Sequence, residues 1–267
     1  MRPILGVGEL LWDVYPDGRK VAGGSPFNFA YHCHALGHPA QVVTAVGDDD
    51  LGRELRGVVR DLGLSDALIQ TVPYPTGTVR VTLDAAGVPS YAIAENVAWD
   101  HLAWTPELAA LTPPAVQFGT LAQRGASAGV VRRVAALTKF AVFDVNLRQP
   151  QVDWHMLSAS LRLATAVKFT LEEYEQVTTL FPDQHESVWL TLGGSGASCR
   201  TRERSIVCQP AFPAKVVDTV GAGDAFAAAM TVKTLAGVSP REALRFACEY
   251  AARVCEHAGA IPPRGGP

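Results

Sequence analysis

The sequence predicts an α/β protein, a three-layer αβα sandwich with a mostly parallel central sheet and a small β-sheet lid. Three observations point there. Short, almost wholly apolar runs such as FAVFD (140–144) and VWLTL (188–192) suit strands covered on both faces, as in a parallel sheet. Stretches of helical character alternate with those runs along most of the chain. The alternation breaks twice, at 10–24 and at 76–100. In the second break Val79, Val81 and Leu83 alternate with polar residues before a small-residue turn and a short run SYAIAE (90–95).

Residues 3–9 (PILGVGE) read as the first strand. SPFNFAYHCHALG follows as a helix, with Ser25 at the N-cap, Pro26 in the first turn and Gly37 just past the end. A strand at 41–47 leads to a helix at 50–63 closed by Gly63. Further on come a strand at 115–119, a helix at 127–138, and strands at 140–146 and 188–193. Ligands of such sheets gather at the carboxyl ends of the strands, which here carry Glu9, Asp144, Asn146 and Gly193. The two breaks are expected to form the lid, over about 10–22 and 76–97, inside a single domain spanning 1–267. A lid over the strand ends would keep water from a reacting group.

The run VVDTVGAGDAFAAAMTVKTLAG carries the chemistry. A β-like segment ends in Gly221, Ala222 and Gly223 and passes into an Ala-rich helix. Small residues let a ligand approach the backbone, and the first amides of a helix lack internal acceptors, so this turn suits phosphate oxygens. Asp224 lies where it could take the proton of an attacking hydroxyl, since phosphoryl transfer asks mainly for positioning, charge stabilisation and one proton acceptor. The helix terminus is expected to lower its pKa. Read alone, Asp224 suits a helix cap equally well.

The wider context decides between base and cap. DTVGAGDAFAAA resembles the second signature of the ribokinase-like, or pfkB-type, carbohydrate kinases, and GGSPFNFAYHCHALGHPAQVVTAVGDDDLGREL resembles the first. The resemblance runs from GELLWD to HAGAIPP. It implies that Asp224 is the catalytic base and that Gly221, Ala222 and Gly223 form the anion hole. Arg148 is then expected near the substrate or the moving phosphate, and Asp13, Gly23, Gly24 and Asn28 against sugar hydroxyls. Thr191, Gly193 and Gly196 are expected beside ATP. Where the family usually has Asn-x-x-Glu to organise water around magnesium and the phosphates, this chain has Thr170 and Glu173, so the resemblance implies a nucleotide contact with half the motif kept and Glu173 reaching Mg2+ through water. Asp218, Val220 and the segment 254–259 occupy the places that bind K+ in many members. GELLWD, PTGTVRVTLD and ENVAWD are most similar to fructokinases. A 2-keto-3-deoxygluconate kinase or a ribokinase is the runner-up, followed by a nucleoside kinase and then by a sugar sensor without turnover.

Composition narrows the remaining classes. Apolar residues make up 48% of the 267 and charged residues 18%, which suits a folded core. A net charge of −3 with scattered Lys and Arg argues against nucleic-acid or membrane partners. The five cysteines include no C-x-x-C pair, which points to neither disulfides nor zinc. The opening MRPILGVGELLWD lacks the parts of a signal peptide, so a cytoplasmic location is expected. No GxxxxGK[ST] loop and no HRD or DFG set is present, and GVGELL lacks the third glycine of a dinucleotide fingerprint. Pairing of lid edges between two chains predicts a homodimer.

Overall fold

The computed structural model describes residues 2–83, 89–148, 153–177 and 185–262. The turn expected at the lid tip, 84–88, and the side chain of Leu83 lie outside the described residues, as does the end of the HAGAIPP match.

Strand β1 (Ile4–Val7) lies third from one edge of a nine-stranded sheet. It pairs in parallel with β4 (Ala40–Gly47) on one side and β8 (Val116–Phe118) on the other, with Leu5 opposite both Gln41 and Val116. Beyond β4 lies β5 (Ile69–Val72). Beyond β8 come β9 (Ala141–Asp144), β10 (Ala166–Thr170) and β11 (Ser187–Thr191), all parallel. Two antiparallel strands, β12 (Ala197–Thr201) and β13 (Ile206–Gln209), finish that edge.

Successive side chains of these strands point to opposite faces and feed two separate cores. Ile4, Val42, Val46 and Val142 pack on one side with helices α1 (Ser25–Ala35), α2 (Asp50–Asp61), α7 (Ala222–Leu235) and α8 (Pro240–Val254). Leu5, Val43, Phe118 and Phe143 pack on the other with α3 (Pro106–Ala109), α4 (Ala128–Ala135), α5 (Trp154–Leu163) and α6 (Leu171–Val177). Burial on both faces explains why the strands read as continuous apolar runs. Each buried Phe or Leu contributes roughly 1.5–3 kcal/mol to that core.

A second, four-stranded sheet has the order β3-β2-β6-β7. It consists of β2 (Leu11–Val14), β3 (Lys20–Gly23), β6 (Thr78–Leu83) and β7 (Pro89–Ile93), drawn from the two stretches that break the helical alternation. Its outer strands, β3 and β7, leave unpaired edges among the described residues.

Two expectations need correction. Ser25 is not the N-cap of α1. Gly24 takes that place at φ 116°, a conformation open to glycine, which frees the Ser25 hydroxyl for another partner. The helix expected over 127–138 ends at Ala135, because the Leu137 amide closes a turn on Val134 instead. Among the described residues no helix is long and apolar enough to cross a membrane.

Candidate active site

The carboxyl ends of β1, β9, β10 and β11 open toward the first turns of α1 and α7, and the polar residues of the sequence converge there. Helix α7 begins at a left-handed Gly221 (φ 78°, ψ −5°) that carries no side-chain cap. A Cβ at 221 would run into Ala260, so the turn needs glycine for space as well as for conformation. Asp224 stands in the first turn of α7 but does not cap it. Its Oδ1 accepts a hydrogen bond from Ser25 Oγ at 2.6 Å and its Oδ2 one from Asn28 Nδ2 at 2.8 Å. The two N-terminal turns, α1 and α7, thus hold one carboxylate between them.

The helix terminus does not lower the Asp224 pKa as expected. Burial raises it, and the hydrogen bonds from Ser25 and Asn28 and the charges of Lys168 and Arg148 offset only part of the rise. The carboxylate is therefore a better proton acceptor than a free aspartate.

On one side of Asp224 lie the residues expected to meet a sugar. Asp13 on β2 stands beside Gly23 on β3, where a Cβ would approach Asp13 Oδ2 to 2.9 Å. Burial pushes Asp13 up to about 6, opposed by the nearby Arg148 guanidinium. Glu9, which follows β1, is buried and accepts from the Ser25 amide at 3.2 Å. Desolvation brings it to about 7, with the Asp224 charge adding to the rise. Arg148 is exposed, influences Glu9, Asp13 and Asp224 through its charge, and is steadied by Asn146, whose Oδ1 accepts from Arg148 Nε at 2.9 Å.

On the other side is a cavity of about 490 Å³ lined by Thr170, Thr191, Gly193, Gly196, Ala222 and Gly223, together with Phe226 and Ala251. These are the positions the sequence placed beside a nucleotide and its phosphates. Glu173 is not among its lining residues. Its Oε2 accepts from the Thr170 amide and its Oε1 from the Leu147 amide, each at 2.8 Å, so it ties α6 to the segment that carries Arg148. Asp218 bridges two loops, accepting from Val220 N at 3.0 Å and Gly259 N at 2.8 Å. That brings Asp218, Val220 and the 254–259 segment side by side.

Sequence reasoning missed Lys168. This buried lysine on β10 pairs with Asp144 on β9 (Nζ to Oδ1, 3.0 Å) and sits beneath Gly223, where a Cβ would lie 2.9 Å from Nζ. Burial alone would lower its pKa, but Asp144, Glu173 and Asp224 outweigh that and raise it, so the ammonium stays charged beneath the Gly221–Gly223 turn. The signal was a single lysine inside an otherwise apolar strand, AVKFT.

The profile described as pfkB family carbohydrate kinase matches residues 15–264. A fructokinase of Solanum tuberosum is 26% identical over 97% of this chain and 91% of its own length, and a ribokinase of Arabidopsis thaliana is 27% identical over 92% and 70%. The crystal structure of an uncharacterized sugar kinase from Pyrococcus horikoshii in complex with ATP superposes with a TM-score of 0.85 at 26% identity, covering 96% of this chain and 93% of that one.

Proposed function

We propose that this chain, which belongs to the pfkB family of carbohydrate kinases, transfers the γ-phosphate of ATP to a primary hydroxyl of a small sugar, fructose before ribose or 2-keto-3-deoxygluconate. The observation that carries this reading is the Asp224 carboxylate, held by Ser25 and Asn28 between the face that carries Asp13 and Gly23 and the Gly223 end of a cavity of about 490 Å³. The fructose preference rests on GELLWD, PTGTVRVTLD and ENVAWD, and Asp13, Gly23, Gly24 and Asn28 supply the carboxylate, amide and backbone groups that vicinal hydroxyls pair with.

The chemistry follows from the arrangement. The sugar oxygen attacks the γ-phosphorus, the bond to the β-phosphate oxygen breaks, and ADP departs with those electrons. The hydroxyl proton becomes acidic as the new bond forms and passes to Asp224. The turn of small residues at Gly221, Ala222 and Gly223, whose Ala222 amide donates to the Thr219 carbonyl at 3.2 Å, would lie against the equatorial oxygens, and the buried Lys168 charge adds to the field there. Arg148 approaches from the sugar side. Thr170, Thr191, Gly193 and Gly196 line the space for the rest of the nucleotide.

Among the described residues no cluster of His, Cys, Asp or Glu would hold a metal by itself. That donor set fits magnesium carried by the triphosphate and water, with Glu173 at most in outer contact. The cation neutralises phosphate charge when bound. A potassium ion would sit between the Asp218–Val220 turn and the 254–259 loop, where it would steady the anion hole. We place the enzyme in the cytoplasm as a homodimer joined through the small sheet.

ADP release with magnesium-ATP, measured across a panel of fructose, ribose, 2-keto-3-deoxygluconate and nucleosides, tests the reading. Asp224→Asn is expected to lose roughly 10²- to 10⁴-fold in kcat on the preferred sugar. An unchanged rate would remove Asp224 as the base.

A further inference from the structure

His32 lies one turn beyond Asn28 on α1 and is wholly buried. Both its ring nitrogens are engaged. Nε2 is 2.9 Å from the Ala260 carbonyl oxygen and Nδ1 is 3.0 Å from the Tyr250 hydroxyl. A carbonyl can only accept, so Nε2 carries the proton and Nδ1 accepts from Tyr250. Burial lowers the His32 pKa to about 4, which keeps this single neutral form in place.

Ala260 is itself buried, and it fills the space that a Cβ on Gly221 would occupy. The neighbouring Tyr31 hydroxyl donates to the Pro262 carbonyl at 3.2 Å, and Asp218 accepts from Gly259. The 259–262 loop is thus fastened to α1 on one side and to the turn before α7 on the other. Its Ala260 forms the floor on which the left-handed Gly221 rests.

We infer that His32 is a positioning residue for phosphoryl transfer: by holding the Ala260 carbonyl it fixes the floor of the Gly221–Gly223 anion hole relative to Asp224. This rests on the proposed function, since it takes the Gly221–Gly223 turn as the phosphate site. The same helix presents Ser25 and Asn28 to Asp224, so α1 registers the base and, through His32, the anion hole.

The test compares His32→Leu, His32→Gln and Tyr250→Phe with Asp224→Asn, measuring kcat and KM for sugar and ATP. A displacement of about 1 Å at a reacting group can cost on the order of 10²-fold in rate, so His32→Leu should lose 10- to 100-fold in kcat with sugar KM within about twofold. His32→Gln, which keeps an N–H near the Nε2 position, should recover most of that loss. Tyr250→Phe frees Nδ1 and should lower kcat a few-fold, again without moving sugar KM. If folded His32→Leu retains full kcat, or loses only sugar affinity, the inference is overturned. Should His32→Leu not fold, an unchanged kcat in Tyr250→Phe overturns it instead. Loss of activity in Asp224→Asn together with intact kcat in the His32 variants would defeat this inference alone. An active Asp224→Asn would defeat the functional reading beneath it.

Discussion

Glu9 sets a measurable link between pH and stability. It is buried, accepts one backbone hydrogen bond, and titrates near 7 instead of the ordinary 4.5 because burial penalises its charge. Between those values the folded chain keeps a proton that the unfolded chain has released. A raised carboxylate therefore withdraws stability as pH climbs from about 4.5 to 7, and the deficit is largest above 7. Glu9→Gln removes the deficit. It is expected to stabilise the protein at pH 8 by up to about 3 kcal/mol and to give no advantage near pH 4.5, read from urea midpoints at the two pH values. Equal differences at both would contradict it. The sequence showed Glu9 as a polar residue at a strand end and no more. Its environment depends on Ser25 and Asp224, which only the folded chain brings to it. The same holds for Asp224, whose helix position suggested a lowered pKa until burial proved the larger effect.

At the scale of elements, the Thr170 substitution acquires a structural meaning. Thr170 Oγ1 accepts from the Glu173 amide at 3.2 Å while Glu173 Oε2 accepts from the Thr170 amide, a reciprocal capping box at the start of α6. Asn and Thr are both good caps, so the exchange keeps the helix start. Thr170→Ala is expected to cost about 1 kcal/mol, visible as a lower denaturant midpoint, whereas Thr170→Asn should remain within a few tenths of wild type. If the alanine variant is as stable as wild type, the cap contributes nothing. The T-x-x-E spacing was legible in FTLEEYEQV as half of a family motif. The attachment of Glu173 to the Leu147 amide was not, because it joins segments on neighbouring strands. Strand β10 itself was hard to read, since Lys168, which pairs with Asp144, interrupts its apolar run.

Over the whole molecule, the parallel sheet was legible because burial on both faces leaves a plain trace in sequence, as FAVFD and VWLTL show. The pairing partners were less so. The small sheet joins strands from two distant stretches, with Trp12 opposite Thr78 in parallel, a match that no local pattern encodes. Its edges supply the last prediction. Strand β7 carries Tyr91, 49% exposed, along an edge with no partner strand among the described residues. An edge of this kind is commonly covered. Scattering at micromolar concentration is expected to give twice the chain mass, and Tyr91→Glu to shift it toward one. A monomer for the wild type would exclude the dimer.

The bonds from Ser25 and Asn28 to Asp224 span 199 and 196 residues, and His32 reaches Ala260 across 228. During synthesis the part of the proposed site on α1 therefore emerges long before the part on α7 that carries Asp224. On the roles proposed for Asp224 and His32, a nascent chain can display much of its sheet and still have no means of turnover until the segment through Ala260 has left the ribosome and folded back on α1. Partial products of translation are silent by construction, and catalysis itself reports that a chain has folded through to that point.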